Sequence, residues 1–291
     1  IPPFTLIGAA LRGPSALFVN LAGLAFFAVV AVVMSALVPA PANIITGSPD
    51  GSGMVSDQWL FLAVGYYAVF SWATGLRARD LPTFRLTWGS PAFLTVVIGY
   101  GMVAFMAYTN SYWGAPYAER ALGVSSSEIA LLLGAPSAVA GLLGVIRGGR
   151  MADYLLLRRD NGRVWVVLFG LLAPVPFIYL AFTDTSSVPL VFALDLGLFQ
   201  FGFEGKFYWF YAYSFVVNML AASALGAAAA SSQALVLPRM RGVATATFFL
   251  STTLLGLGLG PFMAGYVSAV NGDDLSAGVL STLVVTPIGL A

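Results

Sequence analysis

The sequence holds no cysteine and no histidine. Those two absences exclude cysteine proteases, Ser-His-Asp triads, structural zinc sites, histidine-ligated haem and iron–sulfur clusters, so no metal and no cofactor is expected. Disulfides are impossible as well, and the redox compartment leaves no trace in the chain. Charge is the third scarcity: only 9% of residues are Asp, Glu, Lys or Arg, against roughly 25% in a soluble domain. Thirteen basic and twelve acidic side chains leave a net charge of +1, which offers no basic field to a nucleic-acid backbone. What fills the 291 residues is apolar: 59% are hydrophobic and the mean hydropathy is +0.90. In lipid the backbone must satisfy its own polar groups, so the expected fold class is all-α, a polytopic membrane helical bundle.

A spanning helix needs about 20 mostly apolar residues. Eight segments meet or approach that length, near 14–38, 58–76, 91–112, 127–147, 163–183, 208–237, 243–270 and 275–291. The sequence starts at Ile1 with no charged region ahead of an apolar core, so no signal peptide is expected. It stops at Ala291 inside the last apolar run, as a piece cut from a longer chain would.

Cytoplasmic loops carry an excess of Lys and Arg. Counting the N-terminal tail as the first gap, the odd-numbered gaps hold eleven of the thirteen basic residues, and the even-numbered gaps hold only Arg120 and Lys206. Both termini are therefore expected in the cytoplasm. A further apolar run, Val188 to Phe203, would break this asymmetry if it crossed the membrane, so it is expected as an interfacial or re-entrant segment on the outer side. The aromatic cluster Phe207, Tyr208, Trp209, Phe210, Tyr211 and Tyr213 suits a headgroup belt there, or else an unusually aromatic core helix.

The stretch Arg12-Gly13-Pro14-Ser15-Ala16-Leu17 is echoed by Trp88-Gly89-Ser90-Pro91-Ala92-Phe93-Leu94. Both enter a span through small residues and a proline, which costs little at a helix start. The echo divides the chain into residues 1–81, a linker and an extra two-helix hairpin, and residues 82–291, a six-helix unit.

Gly149-Arg150-Met151-Ala152-Asp153 followed by Arg158 and Arg159 forms a short basic connection between the fourth and fifth spans. It resembles the cytoplasmic loop signature of the major facilitator superfamily, with Tyr154, Leu156 and Leu157 standing where that signature has a basic residue and Gly-Arg. In the seventh span Gly256 and Gly260 lie four apart, followed by Pro261 and Gly265, a pattern for close packing and bending. It is similar to the glycine-proline motif in the fifth helix of a half of the same superfamily, with Ala264 and Thr247 in place of glycines; a generic small-residue packing face reads the same way. With Pro238-Arg239-Met240-Arg241-Gly242 ahead of that helix and Ser90-Pro91-Ala92-Phe93 opening the third span, the chain most resembles Spinster-like carriers. The resemblance covers residues 82–291 as the C-terminal half of such a carrier. It implies an integral protein of a bacterial inner membrane whose partner, an N-terminal six-helix half, is absent from this chain.

The same resemblance places the first and fourth helices of a half around the transport cavity, here the third and sixth spans. Tyr100, Tyr108, Asn110, Ser214 and Asn218 are therefore the candidate substrate-binding residues, because polar side chains inside a span face a cavity or another helix. The chain then contributes to a secondary carrier for a small organic or amphipathic molecule, relatives of this kind handling lysolipids. The alternative is a non-transporting scaffold or receptor on the same fold. An enzyme is not expected, since the usual bases and metal ligands are missing and no Gly-x-Ser-x-Gly elbow is present.

Overall fold

The computed structural model describes residues 2–38, 55–183, 194–195, 200–201 and 205–290. The helices are α1 (Pro2–Ala10), α2 (Pro14–Leu37), α3 (Asp57–Arg79), α4 (Leu81–Leu86), α5 (Pro91–Leu122), α6 (Ser126–Ile129), α7 (Ala135–Leu156), α8 (Gly162–Leu172), α9 (Pro174–Phe182), α10 (Gly205–Ala234), α11 (Arg241–Val270), α12 (Leu275–Ser281) and α13 (Val285–Leu290). A π-helical turn, Ala130–Gly134, joins α6 to α7. Two-residue strands β1 (Leu194–Asp195) and β2 (Gln200–Phe201) pair antiparallel; the rest of the Val188 to Phe203 run lies outside the described residues.

Among the described residues seven helical stretches are long and apolar enough to cross a membrane, not the eight expected. The eighth, Leu275–Leu290, expected to be cut short, falls among the shorter apolar helices. Asp274 fixes its start by accepting from the Ser276 and Ala277 amides at 2.8 and 3.2 Å, and a 3-10 turn at Thr282–Val284 divides α12 from α13. At 1.5 Å per residue it reaches about 24 Å, short of a hydrocarbon core about 30 Å thick. The basic connection is also mostly helix: α7 continues through Gly149, Arg150 and Asp153 to Leu156, and only residues 157–161 turn. The exposed Arg158 guanidinium lies 4.5 Å from the centre of the Tyr154 ring.

Contacts divide the chain into two units, residues 1–95 with 232–254, and residues 96–231 with 255–291. In the first, α1 reverses into α2 at Gly13, whose φ of 121° lies where side-chain-bearing residues are strained. The hairpin of α2 and α3 closes where Gly23 admits the Phe70 ring and Phe27 stacks on Tyr66, ring centres 6.4 Å apart. Asp80 caps α4; hydrogen bonds from the Thr83 hydroxyl and amide, with Arg239 nearby, hold its carboxyl below the usual carboxylate range.

In the second unit, apolar lipid gives helices no hydrophobic reason to associate, so small residues that let backbones touch must do it. Ala140, Gly144, Gly148 and Ala152 form the buried stripe of α7. Gly144 sits against the Met219 carbonyl and Gly148 against the Ser223 backbone, both on α10. From α11, a Cβ at Gly256 would stand 2.6 Å from the Ala104 Cβ, one at Gly260 2.6 Å from the Phe105 carbonyl oxygen, and one at Gly265 2.7 Å from the Trp113 ring, all on α5. Pro261 withholds one N–H inside α11, while its own carbonyl accepts from Trp113 Nε1 at 2.8 Å. Gly260→Leu should therefore cost about 2–3 kcal/mol, the upper range for overpacking. Differential scanning fluorimetry in detergent checks it, with Gly242→Leu, where nothing lies within 4 Å, as the harmless control.

Candidate substrate-binding cavity

Within the second unit, α5, α7, α10 and the π-helical turn enclose an open cavity of about 270 Å³. The turn arises where Pro136, lacking an N–H, has no donor for the Leu132 carbonyl in α register. Ala130, Leu133 and Gly134 from that turn then line the cavity. Opposite walls are fixed by a cluster of rings one turn away: Tyr117, Phe182 and Phe210 pack with centres 4.8, 5.2 and 5.4 Å apart and are all buried.

Polar groups on this cavity fall into two sets. The Asn218 amide bridges three helices: Ser111 Oγ of α5 donates to its Oδ1 at 3.3 Å, and its Nδ2 donates to Ser137 Oγ of α7 at 3.2 Å. Asn110 and Ser214, only 2% and 3% exposed, instead present Asn110 Oδ1 and Ser214 Oγ with no hydrogen-bond partner. A buried polar atom left unpaired costs free energy, so its retention points to a group that arrives from outside.

Of the five candidates read from sequence, the structure gathers Asn110, Ser214 and Asn218 on this cavity and leaves Tyr100 and Tyr108 off its wall. The reason is helical angle. Tyr108 lies two residues from Asn110, about 200° around α5, and is 40% exposed. Ser111 and Gly114 do share the Asn110 side of α5 and line the cavity, as does Ser137. Ser111 stands about 100° round α5 from Asn110, so spacing alone did not mark it. No sequence signal short of Pro136 marked the π-helical turn.

No protein-family model matches the chain. Over 190 residues it is 30% identical to an MFS-type efflux pump of Mycolicibacterium smegmatis, a match covering 65% of this chain and 39% of that protein. It is 24% identical over 213 residues to protein spinster homolog 1 of Xenopus tropicalis, covering 66% and 37%. The chain thus spans less than two fifths of the length of these curated relatives. Its fold aligns with the crystal structure of a bacterial homologue of the human lysosomal transporter Spinster in an inward-facing, occupied conformation, with a TM-score of 0.56 and 21% identity over 98% of this chain and 64% of that one. Multiple apolar helices and these matches agree: the chain is an integral membrane protein similar in sequence to MFS-type and Spinster proteins, with an all-α polytopic bundle of MFS-like fold.

Proposed function

We propose that the chain forms one half of a secondary carrier that moves a small organic or amphipathic molecule by alternating access, with Asn110, Ser214 and Asn218 on its share of the binding site. The pair of unpartnered buried atoms, Asn110 Oδ1 and Ser214 Oγ, carries this reading. A neutral, amide-bearing and largely apolar lining suits a molecule with an apolar body and a few hydrogen-bonding groups. At about 270 Å³ the cavity falls just under the roughly 300–1,000 Å³ of small-molecule sites. A second six-helix bundle facing it would complete the volume, as rocking of two halves around a midplane site requires.

In this scheme residues 82–291 are the six-helix half, residues 1–81 an added hairpin, and both termini lie in the cytoplasm of a bacterial inner membrane. Gly149, Arg150, Asp153, Arg158 and Arg159 then sit at the cytoplasmic ends of α7 and α8, where one conformation is held. Gly256, Gly260, Pro261 and Gly265 give α11 its close contact and its bend. Proteoliposomes of the complete carrier loaded with a fluorescent lysophospholipid should release it faster than protein-free vesicles; no release of it would favour a non-transporting scaffold. The native chain has no cysteine, so Arg158→Cys gives a single label site. An impermeant maleimide should leave it unmodified in intact cells, and labelling from outside would invert the topology.

A further inference from the structure

The first unit contains a second, larger recess that the carrier reading does not use. It is an open groove of about 470 Å³ along α1 and α3, closed on one side by Leu250 of α11. The two helices run in the same direction beside it. The Thr5 hydroxyl donates to Tyr67 Oη at 3.2 Å near one end, and Arg12 Nη1 lies 3.2 Å from where a Cβ on Gly75 would stand near the other. Seven residues from α1 into the turn that follows it thus match eight of α3, and along both the groove passes from apolar to basic. Phe4, Ala68 and Trp72 line its apolar stretch, and Arg12 and Arg79 its basic end.

Arg12 is held there. Its Nε donates to the Gly8 carbonyl at 3.0 Å, and the absent side chain of Gly75 makes room for the guanidinium. Arg79 follows one turn beyond Gly75 on α3. The adjacent carboxylate, Asp80, is engaged by Thr83 as the cap of α4. Two guanidinium groups at one end of an apolar groove match a molecule with an anionic phosphate head and a hydrocarbon tail. Free phosphate would satisfy the arginines and leave the apolar part of the groove empty.

We propose that this groove binds one anionic phospholipid, its phosphate between Arg12 and Arg79 and an acyl chain along Phe4, Trp72 and Leu250. The site is independent of transport, and only the leaflet, the cytoplasmic one, rests on the topology given above. It ties the extra hairpin to a lipid class rather than to the substrate.

Native mass spectrometry of the purified protein with equimolar phosphatidylglycerol and phosphatidylcholine tests it. The wild type should retain phosphatidylglycerol over phosphatidylcholine by about thirtyfold, the scale of two surface arginines on an anionic headgroup. Arg12→Gln with Arg79→Gln should bring the ratio near one, while Arg77→Gln with Arg85→Gln, an equal charge loss outside the groove, should keep it. Equal retention of the two lipids by the wild type, equal loss in both double variants, or full displacement of the lipid by millimolar inorganic phosphate would overturn the proposal. If the groove variant does not fold, bromine-labelled phosphatidylglycerol decides on folded protein. It should quench wild-type fluorescence more than that of Trp72→Phe, and equal quenching refutes the seat of the chain.

Discussion

Gly148→Leu is expected to be the most damaging single substitution in the chain, and Gly149→Leu, one residue on, among the mildest. A Cβ at Gly148 meets the carbonyl, Cα and carbon of Ser223, all backbone of α10, whereas one at Gly149 meets nothing within 4 Å. Backbone cannot swing aside as a side-chain end can, so leucine at 148 must separate α7 from α10. That separation also pulls Ser137 away from Asn218 and opens the cavity wall. The expected cost is about 3 kcal/mol or more, the top of the range for overpacking, against a gain of a few tenths from replacing glycine in a helix at 149. Melting curves of the two variants in one detergent measure the difference, and similar melting temperatures would show that α7 and α10 do not touch here.

The contrast also shows what was readable in the letters. Ala140, Gly144, Gly148 and Ala152 recur every four residues, so the α7 packing stripe was present in the sequence as a helix face. The loop signature holds Gly149 instead, which stands about 100° away from that face. Span positions were legible because 20-residue apolar runs are a property of composition. The short last run, Leu275–Leu290, was legible too, since the letters stop inside it; the side-chain cap at Asp274 and the 3-10 turn at Thr282–Val284 were not, because they act on geometry without changing hydropathy. The cavity was half legible: the i, i+4 pair Ser214 and Asn218 lies on one face by spacing alone, and the same arithmetic separates Tyr108 from Asn110. Which polar atoms find partners depends on how helices from distant parts of the chain meet, and that is written in no local window.

That last distinction gives two substitutions opposite signs in stability and the same sign in transport. Asn218→Leu removes both bonds of the amide and leaves Ser111 and Ser137 without it, so the fold should lose about 1–2 kcal/mol, the sum of two modest interhelical hydrogen bonds. Asn110→Leu keeps the shape but deletes Oδ1, an acceptor that is buried and unpaired. Relief of its desolvation, worth about 1–3 kcal/mol, should raise the melting temperature of the unliganded protein. If Oδ1 serves substrate, lysophospholipid release by the complete carrier should nevertheless fall in both variants. A substrate that protects the wild type from unfolding should no longer protect Asn110→Leu, because differential stabilisation needs the contact that was removed. Destabilisation by Asn110→Leu with release intact would place that side chain in the packing of α5 and remove it from the site.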